Sequence, residues 1–315
     1  MRFVSLTCAC LALFATVNAA PATGAARDPE FGSYWHDGKA ELNGYRIVVD
    51  RYGHPRVGRG VAIYVTEPFS AAKHVKLNDY TKNPGDVVDV LKLNLVRDFQ
   101  TGIYDYHTMV SLFVRAADFT PVKLAFTSAE WCGQVYEELD FEGPKVSERF
   151  ASYFENESSS STSDVPRGGV IEDNLFVLLR GLRGAWLAPG EKRQLPWLAG
   201  SFWRRLAHRR FAWSTATIER LRAGETVRVP AGSFITDVYV VRPADGREGR
   251  FFIERAYPHR VVRWAWAAPA APGATSLGGT DSGELTGSAR LEYWRLHDPG
   301  DESYLEALGL GPGVR

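Results

Sequence analysis

The stretch that decides the fold is VVDVLKLNLVRDFQTGIYDYHTMVSLF, residues 87–113. It begins with leucines at every second position (Leu91, Leu93 and Leu95), the period of two expected of a β-strand with one face toward a core. The residues DFQTG at 98–102 predict a turn, because their final glycine can take a positive φ at no steric cost. The stretch therefore predicts two long strands joined by a tight turn.

The second strand of this hairpin carries bulky side chains on both faces. One face holds Tyr104, Tyr106, Thr108, Val110 and Leu112, and the other holds Ile103, Asp105, His107, Met109 and Phe113. Because both faces carry bulk, we expect the hairpin to lie centrally in its sheet.

Similar patterns predict strands along the rest of the chain. The predicted strands are 41–50, 61–67, 122–131, 134–141, 145–154, 211–217, 226–234, 237–243, 250–256, 260–266 and 288–296. Asp245 and Gly246 form a strong two-residue hairpin signal. Leucines at helical spacing predict a helix over 171–182, and a further helix is predicted within 197–209. The predicted fold class is mainly all-β, an antiparallel curved sheet or incomplete barrel with one or two helices packed on it or plugging it.

The N-terminus has the features of a secretory signal. Arg2 precedes an apolar run, residues 3–17, which is followed by small residues around Ala19. We expect a leader over 1–19, a spacer over 20–30 and a location in a bacterial periplasm or outside the cell. The run is shorter than the roughly 20 residues that span a bilayer.

The mature chain is expected to form one β-rich domain over 31–300, followed by a C-terminal tail over 301–315. The stretch ENESSSSTSDVP is polar and rich in serine, which predicts a loop over 156–166. This loop would join two halves, 31–155 and 167–300. One continuous assembly is the favoured interpretation, because the halves lack independent caps.

Composition and motifs exclude several classes of function. Removal of the leader leaves Cys132 as the single cysteine, so no disulfide forms within one chain. The net charge of zero predicts no general attraction to nucleic acid. The sequence has no GxGxxG, GxxxxGK[ST] or GxSxG motif, and we expect neither a cofactor nor a bound metal.

Segments of the N-terminal half resemble an uncharacterised family of exported bacterial proteins. The resemblance rests on GKAELNGY, RYGHPRVGRGVAIYVTEPF, VLKLNLVRDFQTGIYDYHTM and EWCGQVY. Some members carry the name septum formation inhibitor Maf, although this chain lacks the Ser-Pro-Arg-Arg type loop of the Maf nucleotide pyrophosphatases.

A C-terminal segment is similar to a second group, a periplasmic β-rich family of unknown function. This resemblance rests on VPAGSF, DVYVVR and GRFFIERAYPHRVVRW. Such proteins look like lipoprotein-localisation carriers, whose curved sheets enclose an acyl chain. The resemblance thus implies a partly open barrel and brings no catalytic residues.

Three residues are candidates for catalysis. Asp105 and His107 share one strand face, where they could act as a base with its orienting carboxylate or bind a metal together with a third ligand. Cys132 could be a nucleophile with His107 as its base. The alternatives are an ordinary polar pair on the surface and a buried structural cysteine.

A second set of residues is a candidate for binding a ligand or a surface. These residues are basic or tryptophan side chains of the C-terminal half: Trp203, Arg204, Arg205, Arg209, Arg210, Trp213, Trp264 and Trp266. Together they could contact an anionic membrane surface, and the alternative is a solvated arginine face whose aliphatic stems cover core aromatics.

The expected function is non-catalytic binding of an apolar or lipid-like ligand, such as an acyl chain, inside the curved sheet. One alternative is a hydrolase or metal-dependent enzyme that uses Asp105 and His107. The other is a structural or partner-binding envelope protein.

Overall fold

The computed structural model describes residues 29–268 and 279–311, and the predicted hairpin is present in it. Its strands are β3 (Val87–Thr101) and β4 (Tyr104–Arg115). The turn is shorter than predicted, because the pairing continues to Thr101 opposite Tyr104 and leaves only two residues outside the ladder. Gly102 opens that turn with a φ of 58°, in the left-handed region that glycine tolerates.

The remaining strands complete the sheet, and most of them alternate between more and less buried residues. They are β1 (Ala40–Arg51), β2 (His54–Ser70), β5 (Pro121–Glu130), β6 (Gly133–Glu142), β7 (Lys145–Ser152), β8 (Ser159–Asp164), β9 (Val170–Ile171), β10 (Lys192–Leu198), β11 (Trp213–Arg220), β12 (Glu225–Val229), β13 (Gly232–Pro243), β14 (Glu248–Glu254), β15 (Val261–Ala267) and β16 (Gly279–Leu291).

The helices are short. The α-helices are α1 (Pro29–Trp35), α2 (Leu175–Leu178) and α3 (Ser201–Leu206), and 3-10 helices cover Pro84–Asp86, Glu172–Asn174, Tyr293–Arg295 and Asp301–Leu308.

The described strands form one open sheet that includes both halves of the chain. Its order is β8-β7-β6-β5-β4-β3-β2-β1-β16-β15-β14-β13-β11-β10-β9, and β12 pairs with β13 as a branch. Neighbours are antiparallel except β9 and β10, which are parallel. The predicted fold class, a mainly β, antiparallel curved sheet with short helices, is confirmed.

Several predicted elements differ from the structure. The strand predicted over 226–234 is broken by the turn between β12 and β13, and the one predicted over 288–296 ends at Leu291 before a 3-10 helix. The serine-rich stretch 156–166, predicted as a loop, contains the edge strand β8, which pairs with β7 from Lys145 to Phe150. An edge strand tolerates a wholly polar sequence when both of its faces meet solvent. The predicted helix at 171–182 is reduced to a 3-10 turn and α2, because Ile171 pairs in β9 and Gly181 has a positive φ of 59°. The one at 197–209 is reduced to α3, because residues 197–198 pair in β10.

Two short helical segments fill the concave side of the sheet. We call them the plug, defined as residues 172–178 and 201–206. Phe176 packs edge-to-face on Phe251 of β14 and Trp264 of β15, with ring centroids 5.7 and 5.1 Å apart. Phe202 contacts Phe99 of β3. The plug therefore packs against strands from both halves of the sheet.

Some predictions fall outside the described residues. The leader over 1–19 and most of the spacer over 20–30 belong to this group, although the last two spacer residues start α1. Export and cleavage therefore stay predictions. Among the described residues, no helix has the length and hydropathy required to cross a membrane.

Candidate functional site

Arginine–carboxylate pairs fix the plug and its surroundings to the sheet. Most of these pairs join residues far apart in the sequence: Arg180 with Glu41, Arg204 with Glu137, Arg205 with Glu130, Arg247 with Glu172, and Arg97 with Asp281. Arg180 and Glu41 have no exposed side-chain surface, and their closest N–O distance is 2.9 Å. Buried charges need such partners, so these contacts also set the position of the plug.

Little empty space remains beneath the plug. A cavity of about 30 Å³ lies among Arg97, Asp281, Asp173, Phe202 and Trp266. Within the described part of the chain, the Arg97 Nε and Asp281 Oδ1 atoms are buried there without a hydrogen-bond partner. This volume accommodates one or two water molecules and no acyl chain.

Asp173 is the buried carboxyl group beside this cavity. Desolvation by burial raises the pKa of Asp173 to about 6. A hydrogen bond from the Ser201 backbone N–H acts in the opposite direction, but its effect on the pKa is smaller. The Oδ2 atom of Asp173 accepts that bond at 3.0 Å. The Asp173 carboxyl group therefore changes its charge at a higher pH than an ordinary aspartate does.

A much larger space lies at the edge of the sheet, where the chain crosses from β8 to β9. We call it the groove, with a volume of about 580 Å³. Its apolar walls come from separate segments of the chain: Phe119, Pro121, Phe141, Val165, Pro166, Val170, Ile171, Leu178, Trp186, Leu195, Pro196 and Trp213. Ligand pockets commonly have volumes of roughly 300–1,000 Å³, and the groove falls within that range, with a lining that is about half polar and half apolar.

The polar lining of the groove is mainly cationic. Arg115, Arg167 and Arg193 line it, against the single carboxylate of Asp118. Arg193 is partly neutralised by Glu191, at 2.5 Å. Within residues 29–268 and 279–311, the side chains of Arg115 and Arg167 make no hydrogen bond or ion pair with protein groups. The groove therefore combines apolar side chains with a net positive charge, because Arg115 and Arg167 outnumber the carboxylate of Asp118.

The predicted catalytic residues are only partly brought together. His107 pairs through Nδ1 with Asp98 Oδ1, at 2.5 Å, and Asp98 also accepts a hydrogen bond from Arg59. Asp105 and His107 line the same open recess on the outer face, where 58% of the His107 side chain is exposed. Cys132 is exposed in the turn between β5 and β6. Among the described residues, no group of three potential metal ligands occurs.

The partner of His107 is therefore Asp98, a residue that the sequence analysis assigned to a turn. Asp98 lies directly opposite His107 in the β3–β4 register. Arg97, its neighbour in sequence, points to the other face and pairs with Asp281 instead. Adjacent strand residues face opposite sides of a sheet, which explains this separation.

The predicted tryptophan and arginine surface does not form as one surface. Arg204 and Arg205 are buried and ion-paired with Glu137 and Glu130, because their helix α3 faces the inside of the sheet. Trp264 and Trp266 are also buried, at 0% and 3% exposure. These four residues cannot contact a membrane surface in this conformation.

The other members of that set lie in different places. Arg209 and Arg210 are exposed just after α3, and Trp203 is half-buried with the Arg247 guanidinium 3.9 Å from its ring centroid. Trp213 lines the groove. It is the one residue of the predicted binding set that belongs to the groove.

Most groove residues were missed by sequence reasoning. Phe119, Phe141 and Trp186 lie in or beside loops that connect different elements, and no local pattern relates them. The available signal is the occurrence of apolar residues near arginines at strand ends, namely Trp186 near Arg193 and Val165-Pro166 beside Arg167. Loops are common positions for binding residues.

No protein-family model matches this chain, and no curated protein matches it. The name septum formation inhibitor Maf therefore finds no support in these comparisons.

Two solved structures are similar to this chain in overall arrangement. One is described as a beta-barrel-like protein of a domain of unknown function, DUF1849, from Brucella abortus, with a TM-score of 0.46 and 11% identity over 81% of this chain and 98% of that one. The other is a DUF1089 family protein from Pseudomonas aeruginosa, with a TM-score of 0.35 and 13% identity over 67% of this chain and 89% of that one.

Proposed function

We propose that this protein is a non-catalytic binder of an apolar, lipid-like molecule with an anionic group, held in the groove. The observation that carries the proposal is a cleft of about 580 Å³ in which apolar side chains lie beside arginine side chains that have no ion-pair partner among the described residues. A hydrocarbon chain would bury its surface against the walls, at about 25 cal/mol per Å². Arg115 and Arg167 would attract the anionic end.

The ligand position differs from the one expected from sequence. An acyl chain was expected inside the curved sheet, but the plug occupies that space and leaves about 30 Å³. The groove, by contrast, is open along the β8–β9 connection and lies beside the plug residue Asn174. The binding proposal therefore depends on the groove and not on the sheet interior.

The proposal includes an envelope location, in the periplasm or outside the cell. It follows from the predicted leader over 1–19, and from the need of apolar molecules for protein carriers in aqueous compartments. Secretion assays on the full chain would test it separately from ligand binding.

A groove-filling substitution tests the proposed site. Thr120→Trp adds a large ring from an exposed residue that lines the groove, and we expect it to weaken binding of a fluorescent fatty acid at least about tenfold. Ala117→Trp is the matched control, because Ala117 is exposed in the same turn and does not line the groove. Equal affinity of both variants, or no binding by the unaltered protein, would contradict the proposal.

The charge of the groove predicts a preference between ligand head groups. We expect the double variant Arg115→Gln, Arg167→Gln to bind a fatty acid more weakly, by roughly three- to tenfold, and a fatty alcohol of equal chain length unchanged, because exposed charges contribute about 1 kcal/mol or less each. Competition against the fluorescent fatty acid measures both ligands. A parallel loss for acid and alcohol would show that the arginines do not recognise the anion.

A further inference from the structure

Four of the seven connections among strands β1 to β8 lie at one end of the sheet. They join β1 to β2, β3 to β4, β5 to β6 and β7 to β8, and these eight strands form a continuous antiparallel meander. Neighbouring strands lie about 4.8 Å apart, so successive connections follow at intervals of about 10 Å. The groove lies at the opposite end, beside the β4–β5 and β6–β7 turns.

Each of these four connections exposes a large apolar or aromatic side chain. The exposed fractions are 57% for Tyr52, 78% for Ile103, 69% for Trp131 and 65% for Tyr153. Ile103, Trp131 and Tyr153 are the three most exposed large hydrophobic residues of the part of the chain that the structure describes. Single exposed apolar residues are ordinary, but four in a row at one end form a patch.

The exposed residues lie in a row on successive turns, and direct contacts join several of them. Tyr104 donates a hydrogen bond to the Tyr52 hydroxyl at 3.2 Å, and its ring centroid is 6.5 Å from that of Trp131. Tyr153 lies against the next turn, since a β-carbon at Gly133 would lie 2.3 Å from Tyr153 Cγ. We call this row the rim, defined as Tyr52, Ile103, Tyr104, Trp131 and Tyr153.

The formal charges beside the rim balance. Several charged residues of these four connections and of the adjoining end of α3 form no ion pair among the described residues. Three are cations, Arg51, Arg209 and Arg210, and three are anions, Asp50, Asp105 and Glu155. Glu130 and Glu157 are already paired with Arg205 and His208. A neutral patch of this kind matches a zwitterionic surface better than an anionic one.

We propose that the rim is a docking surface for the interfacial zone of a lipid bilayer, into which its turns insert. Tryptophan and tyrosine are enriched at that depth, because one end of each side chain is apolar and the other meets water. Anchors on separate turns, about 10 Å apart, suit a fluid interface, whereas a protein partner needs a continuous complementary surface of about 800 Å² per side. The rim binds independently of the groove.

Vesicle sedimentation tests the rim. We expect the protein to bind phosphatidylcholine vesicles, with little change between low and physiological salt. The double variant Ile103→Ser, Trp131→Ser should lower the partition coefficient at least about tenfold, because it removes the two most exposed apolar anchors. Ile235→Ser is the matched control, since Ile235 is 61% exposed on β13, away from the rim, and its loss should change nothing.

Three outcomes would overturn the proposal. The first is no binding of the unaltered protein to phosphatidylcholine vesicles, including the case in which it binds only phosphatidylglycerol vesicles and is released by salt. The second is an equal loss in the Ile235→Ser control. The third is that the free protein self-associates and that the double variant abolishes this self-association while vesicle binding stays unchanged. The rim would then be a contact surface for a second copy of this chain.

Discussion

Replacing Arg180 by alanine is expected to lower the free energy of unfolding by about 3–5 kcal/mol, the range found when one member of a buried ion pair is removed. Neither Arg180 nor Glu41 has exposed side-chain surface. The substitution would leave the Glu41 carboxylate buried with only the Tyr34 hydroxyl and the Asn43 amide as donors, at 2.9 and 2.7 Å. It would also remove the hydrogen bonds from Arg180 to the carbonyl oxygens of Pro258 and His259.

Urea unfolding of three variants measures this effect. The single variants Arg180→Ala and Glu41→Gln should each be destabilised, and the double variant Glu41→Gln, Arg180→Ala should lose less than the sum of the two single losses. Lys145→Ala is the control, because its partner Asp164 is 83% exposed and surface pairs contribute about 0–1 kcal/mol. If Arg180→Ala lost no more than this control, the plug would not depend on the pair.

Replacing Asp173 by asparagine is expected to stabilise the protein at neutral pH and not at acidic pH. Burial raises the pKa of Asp173 from 3.8 to about 6, so the folded state favours the protonated carboxyl group. Below about pH 4 the group is protonated in both states and no stability is lost. Between about pH 4 and pH 6 the unfolded chain releases the proton first, and the stability falls by about 3 kcal/mol before it levels off.

Asparagine keeps the acceptor for the Ser201 N–H and cannot ionise, so the variant should lack this dependence. We expect unfolding free energies of the two proteins to be similar at pH 4 and to differ by about 3 kcal/mol in favour of the variant at pH 7.5. Asp164→Asn is the matched control, because Asp164 is exposed. If the free energies of unfolding of the variant and the unaltered protein differed by the same amount at both pH values, the raised pKa of Asp173 would be contradicted.

The strands could be predicted because burial on one face imposes a period of two. Residues 91–95 and 104–112 show it, and both strands lie where the pattern placed them. The exact turn could not be predicted, because DFQTG also fits a five-residue connection. The length of the turn also decides whether Asp98 and His107 meet. A two-residue turn at 102–103 places Asp98 opposite His107, whereas a turn over 98–102 would leave Asp98 outside the strand pairing.

The interior of the protein was less predictable than its strands. Arg204 and Arg205 have the composition of an exposed basic run, and their partners Glu137 and Glu130 lie 67 and 75 residues away on β6 and β5. Only the curvature of the sheet brings these groups together. The groove depends on the same long-range closure, since Phe119, Trp186 and Trp213 meet only where the chain crosses between the two sheet edges.

Native mass spectrometry of the protein, released from cells without detergent, tests most directly whether the groove holds a ligand. We expect a bound mass that organic solvent extracts and that fragments as an anionic hydrocarbon compound. We also expect Ala117→Trp to retain this mass and Thr120→Trp to lose it. An unaltered protein without such a mass, or equal retention of it by both variants, would contradict the account.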